Sequence, residues 1–301
     1  MTYNSPIVLI TGATSGIGRH AALYLVERGF RVIATGRSPL ALEKLAVEAR
    51  SAALETVRLD VTSAGSIADA VEQVKGLTHG HGVDVLINNA GYGATGPLEM
   101  ISDADLRAQF DVNVFGLMAV TRAFVGQMRQ RGAGRIINVS SIGGFFAMPM
   151  FGAYTASKFA LEAMSDALRM ELAPFGVRVS LIEPGPIRTR FADRAMSEAG
   201  KYRDPSSPYA PFMDRAERVE ELSDRSAIGP TVVSRAIHRA AVARRPRARY
   251  IVPLRGGLVV GLLRRLPTRW SDALVSQAFG LTRRRLRAAA MNELEALNPT
   301  A

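Results

Sequence analysis

The chain has 301 residues, of which 48% are hydrophobic and 22% charged, enough for one large α/β domain with a sizeable core. It holds no cysteine, which excludes disulfides and thiolate chemistry and leans the protein towards the cytoplasm. The net charge of +11 invites a nucleic-acid partner, but residues 1–234 carry 24 Lys and Arg against 24 Asp and Glu, while 14 Arg in 235–301 face only Asp272, Glu293 and Glu295. The excess is therefore a property of the C-terminal segment, and the main body reads as no nucleic-acid binder. No apolar stretch reaches the roughly 18 residues a membrane span needs, and "MTYNSPIVLITG" lacks the basic start of a signal peptide.

Short β-rich runs predict strands at 7–11, 31–35, 54–60, 83–88, 135–140 and 177–183, separated by amphipathic stretches such as "GRHAALYLVERG". Runs this apolar are buried on both faces, and helical crossovers between them imply an α/β fold, a doubly wound parallel sheet of Rossmann type. Residues 186–229 break the rhythm with Pro, Ser, Gly and mixed charge, as an inserted helical lid would. A helix near 230–244 and a last strand "RYIV" (249–252) resume it, giving one domain over 1–252 and a basic extension over 253–301.

The first strand runs into "TGATSGIG", which carries Gly12, Thr14, Ser15, Gly16, Ile17 and Gly18 and opens a helix. Glycines there permit a tight turn and close backbone approach, and a helix N-terminus attracts a pyrophosphate. The spacing is G-x-x-x-G-x-G rather than G-x-G-x-x-G, and a plain strand–helix turn is the alternative. After the second strand stand Gly36 and Arg37, with no carboxylate for a ribose hydroxyl. An arginine suits a 2′-phosphate, so NADP is the expected cofactor, with NAD possible. Asp60 and Val61 end the third strand where an adenine edge would lie. "NNAG" ends the fourth, where Asn88 and Asn89 could tie strand ends and Ala90 and Gly91 leave room, with Asn88, Ala90 and Gly91 expected beside the cofactor. Turn chemistry alone is the alternative for either pair. In "AYTASK", Tyr154 and Lys158 stand four apart and share a helix face; an adjacent ammonium favours a phenolate. His79 and His81 flank a glycine in a polar loop, and no ligand cluster suggests a metal.

Taken in order, "TGATSGIG", "NNAG", "VSSIGG", "YTASK" and "PGPIRT" resemble the short-chain dehydrogenase/reductase family over residues 7 to about 190. The neighbourhoods "DVNVFG" and "YTASKFALEAMSDALRMELAPFGVRVSLIEPGPI" look most like its 17β-hydroxysteroid and retinol dehydrogenase-like branch. The resemblance implies that Tyr154 is the general acid/base and that Lys158 lowers the phenol pKa and binds the nicotinamide ribose. It also implies that Ser141, thirteen residues before the tyrosine, polarises the substrate oxygen, and that Asn113 holds a water on the proton path. Pro184, Gly185, Ile187 and Thr189 match the segment that meets the carboxamide. Between Ser141 and Tyr154, "GGFFAMPMFGA" offers Phe145, Phe146, Met148 and Met150 as a soft, aromatic substrate mouth, or as ordinary core.

The expected activity is hydride transfer between a nicotinamide cofactor and a hydroxyl or carbonyl of a small lipophilic alcohol or ketone. The alternatives are a 3-oxoacyl-carrier-protein reductase-like enzyme and a non-catalytic nucleotide-sensing protein. Family members are commonly homo-oligomers, and the same is expected here. The tail "RGGLVVGLLRRLPTRWSDALV", with the only tryptophan, Trp270, suits either a peripheral contact with anionic membrane through Arg264 and Arg265 or a helix packed on its own domain or on a partner subunit.

Overall fold

Strand β1 (Ile7–Ile10) is four branched apolar side chains without interruption, and all four are buried. The same chemistry makes β2 (Arg31–Gly36), β3 (Leu54–Arg58), β4 (Val85–Asn88), β5 (Gly134–Val139), β6 (Val177–Pro184) and β7 (Arg249–Val252). A computed structural model of the protein describes residues 5–189, 191, 200–202, 207–253, 257, 261 and 265–283. The seven strands form one sheet in the order β3-β2-β1-β4-β5-β6-β7, every pair parallel. All six expected strands and the late seventh are present, their ends shifted by a residue or two.

Parallel neighbours need crossovers, which α1 (Gly16–Val26), α2 (Pro39–Ala49), α3 (Ala64–Leu77), α4 (Asp103–Phe110), α5 (Leu117–Arg131) and α6 (Gly152–Leu172) supply. Alternate side chains leave the sheet on opposite faces. Val8, Ile10, Val32, Ile87 and Ile182 meet Ala21, Ala22 and Leu25 of α1 on one side, while Leu9, Ile33, Leu86, Ile136 and Val179 meet Phe124 and Met128 of α5 on the other. Each such large side chain removed from water contributes about 1.5–3 kcal/mol, so the two layers hold the sheet rigid beneath its loops.

Beyond β6 the chain returns through α7 (Ala210–Ser226) and α8 (Thr231–Val242) to β7, and continues to α9 (Thr268–Ala278). α8 covers the α1 face with Val233, Ala236, Ile237 and Ala240. Val275 on α9, with Phe279 and Leu281 just after it, packs back onto the domain, while Trp270 is 67% exposed. This part of the tail thus packs on its own domain, and Arg264 lies outside the described residues. Among the described residues, no helix is long and apolar enough to cross a membrane.

Candidate active site

In this sheet order the chain reverses direction of travel between β1 and β4, and open α/β sheets bind ligands at that switch point. Thr11, following β1, accepts hydrogen bonds at Oγ1 from the backbone N–H of Asn89 (2.9 Å) and Ala90 (3.0 Å). The Asn89 amide returns bonds to the Thr11 and Gly12 carbonyls at 3.0 and 3.2 Å. Side-chain volume is excluded around this brace. Gly12 has φ +65°, and a methyl group there would lie 2.9 Å from the Ala90 Cα; one at Gly18 would lie 2.4 Å from both Asn89 Nδ2 and the Gly12 carbonyl oxygen. Ser15 precedes α1 in an extended conformation and its side chain makes no cap, which leaves the helix N-terminus open towards an anion. This cradle fits a dinucleotide.

The surrounding expectations divide. Thr14 packs on Gly36, and Thr189 lies over Gly16, 3.5 Å from where its Cβ would be, so the segment after β6 faces the glycine loop. Ile17 is partly buried against the core, and Ile187 bridges to Ile228. Pro184 closes β6, and the Gly185 N–H donates to the Val252 carbonyl at 2.8 Å. Arg37 is exposed after β2. Burial pushes the Asp60 carboxyl up, but hydrogen bonds from Thr62 and the charges of Arg37 and Arg58 outweigh it, leaving it below its ordinary value. Val61 is buried, and Gly91 faces Asn113. Asn88 is a correction. It is wholly interior, donating to Thr121 Oγ1 and Asn138 Oδ1 at 2.9 Å each, so it ties β4 to α5 and β5 and does not face the cleft. Asn89, next along, is the residue that supports the loop.

Across the cleft a π-helical turn (Asp111–Gly116) carries Asn113. Its amide donates to the Tyr92 carbonyl and to Ser157 Oγ at 3.0 Å each, and Ser157 donates to the Tyr154 carbonyl at 2.7 Å. Ser141 caps a 3₁₀ turn (Ile142–Gly144), accepting from the Gly143 N–H at 3.0 Å. Tyr154 and Lys158 lie one turn apart on α6, both buried; Lys158 Nζ is 5.7 Å from the centre of the Tyr154 ring and donates to the Val139 carbonyl at 3.0 Å. The four residues converge just past the C-terminal ends of β4 and β5.

Burial dominates both groups here, and the phenol stands above its ordinary value rather than below it. Burial pushes Tyr154 up to about 12, opposed by a hydrogen bond with Ser141. Burial also brings Lys158 down to about 8, opposed by the Glu162 carboxylate. The cause is local: the ammonium turns to a backbone carbonyl, and desolvation dominates both groups.

Tyr154 belongs to an apolar cluster with Met150, Phe151, Phe212 and Phe279, against which Met148, Tyr209 and Val275 pack. The Phe191 ring lies 5.4 Å from that of Tyr154. Met150 takes φ +66°, a left-handed conformation rare for long side chains, and its carbonyl accepts from the Gly96 N–H at 2.7 Å. Of the four expected mouth residues, Met148 and Met150 join the tyrosine; Phe145 and Phe146 are half-buried outside this cluster. Phe191, Phe212 and Phe279 escaped the sequence reading because no periodicity tells which distant apolar residue folds back on a site. His79 and His81 are exposed, and among the described residues no three His, Cys, Asp or Glu are gathered for a metal.

A dinucleotide cradle beside a buried serine, tyrosine and lysine defines a nicotinamide-dependent oxidoreductase acting on CH–OH or C=O groups. Residues 6–200 match the family described as short chain dehydrogenase, and the chain belongs to the short-chain dehydrogenase/reductase family. It is 39% identical over 270 residues to "Uncharacterized oxidoreductase YbbO" of Escherichia coli (strain K12), covering 89% of this chain and 93% of that one. It is 37% identical over 254 residues to 17-beta-hydroxysteroid dehydrogenase type 1 of Homo sapiens, covering 81% of this chain and 76% of that protein. Among solved structures, a short chain dehydrogenase/reductase from Burkholderia phymatum in complex with NAD superposes with a TM-score of 0.76 at 26% identity, covering 92% and 96% of the two chains.

Proposed function

We propose that the protein is an NADP-preferring oxidoreductase for a bulky lipophilic alcohol or ketone of steroid or retinoid type, with Ser141, Tyr154, Lys158 and Asn113 as its working residues. The observation that carries this reading is the wall beside Tyr154: Met150, Phe151, Phe212 and Phe279 gather apolar surface about the tyrosine. Such a surface recognises a substrate by burial rather than by hydrogen bonds. The likeness to a hydroxysteroid dehydrogenase supports the same substrate class.

When bound, the nicotinamide cofactor supplies or accepts the hydride. Ser141 and the Tyr154 hydroxyl donate hydrogen bonds to the substrate oxygen, stabilising the negative charge that develops during reduction. Tyr154 then gives up its proton, and the Lys158 ammonium lessens the cost of the phenolate. In oxidation the proton moves the other way. Asn113 holds the backbone at Tyr92 and, through Ser157, the turn of α6 that carries the tyrosine. Arg37, with no carboxylate beside it at Gly36, offers a planar cationic fork to a 2′-phosphate.

The test is turnover of steroid, retinoid and short acyl ketones and alcohols by wild type and Tyr154→Phe, with both cofactors. The bulky apolar compounds should turn over best, and loss of the phenol should lower kcat by roughly 10²–10⁴ while cofactor affinity stays within about twofold. A Tyr154→Phe variant of near wild-type activity overturns the mechanism. Preference for acyl-carrier ketones overturns the substrate class.

A further inference from the structure

Lys158 is buried on α6, and one helical turn further on, sharing its face, stands Glu162, only 6% exposed. A carboxylate in such a place costs free energy unless it is paired. Its partner comes from the last strand: Arg249 on β7 reaches Glu162 Oε2 with Nε at 3.3 Å and Nη2 at 3.2 Å. The same guanidinium meets Asp166 Oδ2 at 2.7 Å and lies 3.1 Å from Oε1 of Glu183, which is wholly buried on β6. One arginine thus serves three acids.

From the other side, the turn that begins at Ser141 ends on Glu162. A methyl group at Gly144 would lie 2.9 Å from Glu162 Cγ, 3.3 Å from the Lys158 carbonyl oxygen and 3.4 Å from Glu162 Oε1. Among the described residues, Lys158 and Asp166 on its own helix and Arg249 on β7 act on Glu162, and Glu183 on β6 shares the arginine. Burial pushes the Glu162 carboxyl above its ordinary value, opposed by the Ser140 hydroxyl and by Arg249, and Asp166 is further paired with Arg169.

We propose that Glu162, held ionised by Arg249, is a positioning residue that keeps the Lys158 ammonium charged and seats the Ser141 turn above it. This rests on the reading in which Lys158 acts in turnover. Three observations converge on it: the shared helix face, the guanidinium brought from β7, and the absence of any side chain at Gly144 to separate the turn from the acid. The expected direction agrees, since the Glu162 carboxylate opposes the burial that pulls Lys158 down to about 8. Without that negative charge the lysine neutralises at lower pH, and the phenolate that reduction forms and oxidation uses as its base loses its counter-charge.

The experiment is the pH profile of kcat/KM for wild type, Glu162→Gln, Glu162→Asp and Arg249→Gln, with Lys158→Met as reference and thermal unfolding of each. Glu162→Gln should move the alkaline limb down by about one pH unit, so that its activity relative to wild type falls roughly tenfold further at pH 9 than at pH 6. Glu162→Asp should recover most of that shift. Arg249→Gln, which lets Glu162 take up a proton, should move the limb the same way, and it decides the matter if Glu162→Gln does not fold. An alkaline limb that stays in place in a folded variant, with only the melting temperature or the overall rate lowered, overturns the role of Glu162. An active Lys158→Met overturns instead the underlying reading of the lysine.

Discussion

Between Thr11 and Gly91 the cleft is made by backbone and by the absence of side chains, whereas around Tyr154 it is made by large side chains gathered from Met148 to Leu281. The first region is local: Thr11, Asn89 and the glycines sit on adjoining strand ends, and their bonds are to main-chain groups. The second is assembled from α6, α7 and the stretch after α9. A backbone cradle suits what every dinucleotide shares, a pyrophosphate, and has little latitude. A side-chain wall can change its volume without disturbing the sheet. Within one family, then, the cofactor side is constrained by geometry and the substrate side by packing.

The sharpest way to break the contrast is at Gly18. Because any Cβ there meets Asn89 and Gly12 at 2.4 Å, Gly18→Val should abolish detectable cofactor binding, and the overpacking should cost about 1–3 kcal/mol in denaturant unfolding. A Gly18→Val protein that binds cofactor normally would show that the cradle is adaptable after all.

Arg37 tests the same region by charge instead of shape. Arg37→Ser should lower kcat/KM with NADP by roughly ten- to a hundredfold and leave the value with NAD unchanged, since one charge-assisted contact is worth about 1.5–3 kcal/mol. Introducing an acid at Gly36 is a poorer probe, because its Cβ would lie 2.6 Å from Thr14 Cγ2. Equal losses with both cofactors would mean that Arg37 does not meet the 2′-phosphate.

On the substrate side, Phe279→Ala should reduce kcat/KM for a bulky apolar ketone by about tenfold, with cofactor affinity unmoved. A small ketone should be affected less. If all substrates lost activity equally, the wall would be supporting the tyrosine and not the ligand.

The smallest effect is one of stability. Lys158 has its pKa lowered from 10.5 to about 8 by burial, so above pH 8 the folded protein gives up a proton that the unfolded chain retains. Its penalty is present at neutral pH and is relieved as pH rises from about 8 towards 10.5. Lys158→Met should therefore melt a few degrees above wild type at pH 7, the gap narrowing across that window. A constant gap would place the ammonium in a better solvated setting than its burial implies.

How much of this was legible in the sequence follows the same division. Uninterrupted apolar runs announced the strands, and motifs set at strand ends announced the glycine loop and the Ser141, Tyr154 and Lys158 group. Asn88 misled because an amide at a strand end reads alike whether it faces the cleft or, as here, Thr121 and Asn138. The raised pKa of Tyr154 was hidden because burial is its main cause, and the residues clustered over it extend as far as Phe212 and Phe279. Glu162 was within reach, four residues after Lys158 on one face, but its partner Arg249 is a product of topology and has no local signal. Nor does "DVNVFG" disclose that its backbone widens into a π-turn.

The position of β7 bears on how the chain is made. Among the described residues it pairs with β6 alone, from Leu181↔Arg249 to Pro184↔Val252, and lies last in the sheet order. A ribosome adds about 5–20 residues per second, so β6 leaves the exit tunnel seconds before its neighbour, with an apolar edge unpaired and Glu162, Asp166 and Glu183 lacking their arginine. Completion of the sheet therefore waits until β7 itself has been made. Nascent chains stalled between residues 184 and 249 should be the species that engage chaperones or aggregate, and any C-terminal truncation that removes β7 should share their fate.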